Sequence, residues 1–215
     1  MKTYLEEVSK YVCESKFEVY IMEKTKPVRY EKKKVIKDGV HIVIPNVVTN
    51  LSLQLMLREQ MLEKLSFIET EANSINNIDD IFDKAVIDKN NWMMYGSCKP
   101  YNEPYLITHH ITININQDNE ITEHTNRIDK DKPWLYTDIL SIRNKYEESE
   151  YCEAHKDLIE KMEFAYQDQK IKRTIINKSQ QSKENKKIVQ SCSFEMAEKL
   201  INILSVGRAD NYDSW

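Results

Sequence analysis

The chain is expected to fold as an α+β domain. Three observations predict this. Residues 105–116 (YLITHHITININ) alternate with the period of two that marks a strand. Residues 117–120 (QDNE) read as a hairpin turn into a returning strand. Apolar residues at helical spacing recur elsewhere, so strands and helices are mixed along one chain with a plain antiparallel pair.

The elements follow in order. Residues 2–15 are expected to be helical, with Leu5, Val8 and Val12 on one side. Residues 17–22 (FEVYIM) form a strand, followed by a basic loop. A second strand covers residues 40–45, where Val40, Ile42 and Ile44 are expected to face the core while Lys37, Gly39 and His41 point the other way. Thr49 or Asn50 caps a helix over residues 51–67. Residues 73–77 are loop, residues 78–87 begin helical, and residues 92–95 form a short strand. In residues 105–116, Tyr105, Ile107, His109, Ile111, Ile113 and Ile115 are expected on one face. Helix follows Pro133. Residues 167–190 are polar and Lys-rich and are expected to be a flexible basic linker. Residues 193–204 form an amphipathic helix capped at Gly207.

At 215 residues the chain is long enough for a real core. It has no apolar run of membrane-spanning length and no signal-peptide pattern, so an intracellular protein without membrane contact is expected. Cys13, Cys98, Cys152 and Cys192 are widely spaced without a CxxC pair, which fits free thiols in a reducing compartment. Cys152 and His155 make a CxxH half-site with no second pair at ligand spacing, so an ordinary helix face is expected there rather than zinc. The net charge of −4 conceals an asymmetry. Residues 24–37 hold seven basic side chains and one acid, and residues 170–187 hold the same, leaving the remainder strongly acidic. Basic segments on an acidic chain suit local contact with phosphates; solvated loops would also carry such charge. Within the first segment Lys24, Lys26, Arg29, Lys32, Lys33 and Lys34 are the candidate nucleic-acid contacts.

Two stretches carry candidate chemistry. In the first, Lys37, Gly39 and His41 present a cation, a gap and an imidazole, and the glycine lets an anionic group come close to the backbone. A Lys-Asp-Gly turn opening a strand, with His41 filling space, is the plainer alternative. In the second, DKAVIDKNNWMMYGSCKP from Asp83, a hydroxyl (Ser97) and an ammonium (Lys99) follow Gly96 and suit phosphate oxygens. Asp83 itself is either a helix-surface residue or a metal ligand at the edge of a site, and Asp79, Asp80 and Asp88 nearby compete for that role.

The order K-x-G-x-H in a strand, a helix, then D-x-x-V…N-N-W…Y-G-S-x-K resembles archaeo-eukaryotic primases. It is most similar to the primase part of primase-helicases from large nucleocytoplasmic DNA viruses of the African swine fever virus and mimivirus type. The resemblance covers roughly residues 17–116, and the tail LSVGRADNYDSW resembles the start of their primase-to-helicase connection. It implies a primase-polymerase fold with an RRM-like antiparallel sheet flanked by helices. It implies a partial catalytic domain over residues 1–166, the linker, and a connecting segment over residues 191–215. Gly39-Val40-His41 matches the family's second motif, with Lys37 as its phosphate-contacting lysine. Asp83 matches the third, a lone metal-binding aspartate. Asn90, Ser97 and Lys99 match the nucleotide-contacting stretch. His41 and Asp83 are thereby the implied catalytic residues.

The family's first motif is a pair of carboxylates on a strand. No such pair stands on an apolar strand upstream of Lys37, and Glu6-Glu7 lies in a helix-like stretch. The chain is therefore expected to be a fragment that lacks the first catalytic strand and has little activity by itself. The resemblance implies nucleotidyl transfer from a nucleoside triphosphate to a primer on a DNA template. It also implies Mg²⁺ or Mn²⁺ as cofactor, a helicase domain in cis or as partner, and a cytoplasmic or viral-factory location. A non-catalytic module that binds nucleic acid or a helicase is the alternative.

Overall fold

The computed structural model describes residues 1–184 except 32–33, 72–73, 91, 100–101, 117 and 142–145. The chain divides into Met1–Tyr166 and Gln167–Trp215. The first unit runs α1 (Lys2–Val8), β1 (Lys16–Glu23), β2 (Val28–Tyr30), β3 (Val35–Lys37), β4 (Val40–Val43), α2 (Leu51–Lys64), α3 (Phe67–Glu71), α4 (Ile78–Ile81), α5 (Ala85–Asp88), β5 (Leu106–Ile115), β6 (Ile121–Thr125) and α6 (Pro133–Ile139). A long helix, α7 (Glu153–Glu184), starts in this unit and continues into the second. Among the described residues no helix is long and apolar enough to cross a membrane.

Four strands form an antiparallel sheet in the order β4-β1-β5-β6, and β2 pairs with β3 separately. The sheet has an apolar cluster on each face. Phe17 and Val19 of β1 and Ile113 and Ile115 of β5 join Leu5, Val8 and Val12, then Leu53 and Leu57 of α2 and Ile159 of α7. On the other face Tyr20, Met22 and Ile107 pack with Tyr136 of α6 and Leu140. A buried carboxylate ties the helices together: Glu7 accepts from Lys10 at 2.7 Å and from Lys64 of α2. These two hydrogen bonds hold its carboxyl below the usual carboxylate range.

The single-face alternation expected for residues 105–116 is corrected. Ile21 pairs with His109 but Met22 pairs with Ile107, so Thr108 is an extra residue in β5. Such a bulge reverses the facing of everything beyond it. Ile113 and Ile115 therefore enter the first cluster while Ile107 enters the second, with Tyr105 packed against it.

The expected inner face of β4 is also corrected. Val40 is 52% and Ile42 45% exposed, whereas Val43 packs on the second cluster and His41 pairs with buried Met22. β4 is an edge strand, and VHIV is apolar on both parities except at His41, so its periodicity could not choose the covered face. Lys37 and His41 stand on different strands, separated by a turn in which Asp38 Oδ1 accepts the Gly39 N–H at 2.8 Å.

Other departures are local. The first helix stops at Val8 because Val12 is recruited into an antiparallel bridge with Tyr151. The basic loop is the β2–β3 hairpin, in register Val28↔Lys37. Residues 92–95 form no strand; a turn at Tyr95–Gly96 closes the stretch. The expected linker is helical as far as Glu184, since its Lys, Gln and Glu are good helix formers with no Gly or Pro among them. Residues 185–190, the expected helix at 193–204, Gly207 and the tail lie outside the described residues.

Asn50 does cap α2, its side-chain oxygen accepting from Leu53 N at 2.9 Å and from Ser52 Oγ at 3.0 Å. Asn50→Ala is expected to lower the unfolding free energy by about 1 kcal/mol, measured by urea denaturation.

Candidate functional site

A cavity of about 550 Å³ opens beside the second cluster. The edge strand supplies its first wall. His41 on β4 stacks on Tyr105, ring centroids 3.7 Å apart at 15°, and meets Trp92 at 4.9 Å. The Lys24 ammonium lies 5.2 Å from the Tyr105 ring centre, an attractive cation–π distance. Burial lowers the His41 pKa from the ordinary 6.5, and the nearby Lys24 charge lowers it further. The imidazole is therefore neutral near pH 7. Burial, then the Asp38 carboxylate, pushes the Tyr105 hydroxyl up.

Gly39 does not line the cavity; it makes room for it. A Cβ at Gly39 would stand 2.8 Å from the Tyr105 hydroxyl oxygen, closer than atoms pack. A side chain at Gly39 would force the Tyr105 hydroxyl out of this position against His41.

The second wall comes from residues 83–103. Asp83 is exposed, and its Oδ1 accepts the Ala85 N–H at 2.9 Å, opening α5. Asn90 borders the cavity just beyond that helix. At Gly96 the chain takes φ +81°, and the turn is closed by Ser97 N and Oγ, both donating to the Met94 carbonyl at 3.0 and 2.6 Å. This turn, not an extended strand, brings Ser97 and Lys99 to the cavity rim.

What holds the Asp83 segment in place is Arg58 of α2, a residue that no sequence pattern singled out. Its side chain is only 3% exposed. Its Nε donates to the Phe82 carbonyl at 2.7 Å, and its Nη2 donates to the Asp79 carbonyl at 2.7 Å and carboxylate at 2.8 Å. The guanidinium fork thus fastens α4 and the residue before Asp83 to α2. The faint signal was an arginine between Leu57 and Met61, both buried.

The cavity lining brings together Lys37, His41, Asp83, Asn90, Ser97 and Lys99. Lys24, Trp92 and Tyr105 line it as well; the last two had no assigned role in the sequence. Of the remaining candidates for nucleic-acid contact, Lys26 and Lys34 are exposed, and Arg29 pairs with Glu31 at 3.2 Å. Lys32 and Lys33 lie outside the described residues.

The charge of the cavity suits an anion. Three lysines, Lys24, Lys37 and Lys99, face two carboxylates, Asp83 and Glu103. Among the described residues no group of three or more His, Cys, Asp or Glu side chains stands close enough to hold a metal ion. Asp83 already serves a backbone amide and His41 lies stacked between rings. These residues do not by themselves fit a divalent-metal site.

An antiparallel sheet flanked by helices, with a cation-lined cleft at its edge, agrees with a primase-polymerase domain. The family described as the C962R protein N-terminal AEP domain matches residues 1–111, and the chain belongs to this family of archaeo-eukaryotic primase domains. Over 114 residues it is 36% identical to a protein of Acanthamoeba polyphaga mimivirus provisionally named helicase L207/L206. That match covers 51% of this chain and 12% of the mimivirus protein.

Arg58→Ala is expected to destabilise the domain by about 1–3 kcal/mol through loss of its charge-assisted hydrogen bonds, with faster amide exchange at Ile81 and Phe82. Arg58→Lys should not restore protection, because one ammonium does not reproduce the fork. For His41, NMR titration should give a pKa below 6.5, rising when Lys24 is replaced by Ala. As pH falls, the unfolded state takes up the His41 proton first. The fold therefore loses stability below about pH 6.5, and the loss is complete once the pH is below the folded-state pKa. Gly39→Ala should displace Tyr105, admit water and raise the His41 pKa.

Proposed function

We propose that the cleft is the nucleoside-triphosphate site of a DNA primase-polymerase domain of the viral primase-helicase type. The observation that carries this is the meeting of two distant stretches. Lys37 and His41 from one, and Asp83, Asn90, Ser97 and Lys99 from the other, line a single cavity. Lys24, Lys37 and Lys99 neutralise the phosphates. Neutral His41 donates a ring N–H to a phosphate oxygen, and Asn90 and Ser97 supply neutral donors. Trp92, Met93 and Met94 offer an apolar wall suited to the base.

In the reaction a primer 3′-hydroxyl attacks the α-phosphorus and pyrophosphate leaves. Domains of this family generally use divalent metals, which when bound would supply activation of the hydroxyl and stabilisation of the leaving group. By the family resemblance Asp83 would contribute one carboxylate toward such ions, and only together with ligands beyond those that line the cleft. One aspartate does not hold two ions, so the role of this chain's own residues is to bind and orient the triphosphate and offset its charge. The exposed basic hairpin is assigned to the template strand. The name of the mimivirus relative suggests a helicase module in the same chain or as partner.

The reading is tested by titrating ATP into the protein in the presence of EDTA. Lys37→Ala and Lys99→Ala are each expected to weaken binding by about tenfold to a hundredfold, the worth of one charge-assisted contact. Asp83→Asn should bind at least as tightly without metal, because a negative charge leaves the cleft. Lys26→Ala should leave ATP affinity unchanged and reduce the salt dependence of single-stranded DNA binding by about one ion. Equal ATP affinity in wild type and both lysine variants would overturn the assignment. DNA binding without any ATP binding would instead support a non-catalytic nucleic-acid module.

A further inference from the structure

Away from the cleft, Cys13 and Cys152 lie 139 positions apart in the chain with their sulfurs 3.8 Å apart. Their backbones are held by the short ladder between the segment after α1 and the segment before α7. Cys13 N donates to the Glu150 carbonyl and Cys152 N to the Tyr11 carbonyl, each at 2.8 Å. These two bonds bracket the Val12–Tyr151 bridge and place both cysteines on its same side. The strap is anchored further. Ser149 N donates to the Val48 carbonyl at 2.8 Å, Val48 N to Ser149 Oγ at 3.1 Å, and Asn50 N to the Tyr151 hydroxyl at 3.0 Å.

We propose that Cys13 and Cys152 are a reversible thiol–disulfide site, oxidised by hydroperoxides, that cross-links the end of the N-terminal segment to the root of α7. A disulfide needs its sulfurs about 2.05 Å apart. The ladder holds both backbones in register on one face with the sulfurs 3.8 Å apart, so that a small local approach of the two side chains closes the gap. Cys13 is exposed and so meets the oxidant first, whereas burial pushes the Cys152 thiol up and keeps it protonated until it reacts.

The chemistry balances with one hydroperoxide. The Cys13 thiolate attacks peroxide, the O–O bond breaks, Cys13 becomes a sulfenic acid, and one water (or alcohol) leaves. The Cys152 sulfur then attacks the Cys13 sulfur, the S–S bond forms, the S–O bond breaks, and a second water leaves. Two thiols lose two electrons and the peroxide gains them. A dithiol reductant returns both thiols by exchange.

Neither cysteine lines the cleft, so the thiol pair is tested independently of the nucleotide site. The experiment treats the full chain with hydrogen peroxide, then follows intact mass, maps linked peptides and records thermal unfolding with and without dithiothreitol. The expected result is a loss of two hydrogen masses, a peptide joining Cys13 to Cys152, and a midpoint raised by about 5–10 °C that dithiothreitol reverses. Cys13→Ser and Cys152→Ser should each abolish the mass loss and the shift, and Cys98→Ser should keep both. Peptide mapping on the wild-type chain decides the matter even if a serine variant folds poorly. Added oxygen on Cys13 without a cross-link, or a disulfide that instead uses Cys98 or Cys192, would overturn it.

Discussion

The bulge at Thr108 governs the cleft, because it lets one strand serve two cores. Beyond it Ile111, Ile113 and Ile115 pack towards α1, α2 and α7; before it Ile107 and Tyr105 pack towards Tyr136 and His41. Without the extra residue, Tyr105 would face the helix-covered side, and His41 would lose the ring that covers it. A one-residue change in register reverses a side chain's face, so this single irregularity decides where the aromatic floor of the site lies.

Two further contacts give that floor its walls. Gly39 contributes by having no side chain, which admits the Tyr105 hydroxyl. Arg58 contributes from below, gripping the carbonyls of Asp79 and Phe82 and so fixing the segment that presents Asp83. The polar candidates at the cleft rim are largely exposed, and the residues that place them are buried or absent in volume. Substitution at the supports should therefore register first in stability and exchange, and substitution at the rim first in binding.

Much of the site was legible in the sequence because its chemistry is local. Lys37, Gly39 and His41 lie within five residues, and Ser97 and Lys99 closely follow one glycine, so type and spacing alone marked them. The family match over residues 1–111 covers both stretches. Trp92 and Tyr105 were given no role because an aromatic residue in a strand or loop has the same local pattern whether it fills a core or lines a cleft. Arg58 escaped because a buried arginine is recognised by its acceptors, which sit more than twenty residues away.

Neighbouring residues alone were enough to set the mixture of strands and helices, the antiparallel β5–β6 pair and a cap for α2 at Thr49 or Asn50, and to mark the two candidate stretches that line the cleft. Each rests on positions a few residues apart, where propensity, period and capping act. Long-range packing settled which face of β4 is covered, the reversal within β5, the end of α1 at the Val12–Tyr151 bridge and the closing of the cleft. Those outcomes depend on what each segment meets across the fold. A strand with apolar residues on both parities, such as VHIV, leaves the choice to its partners.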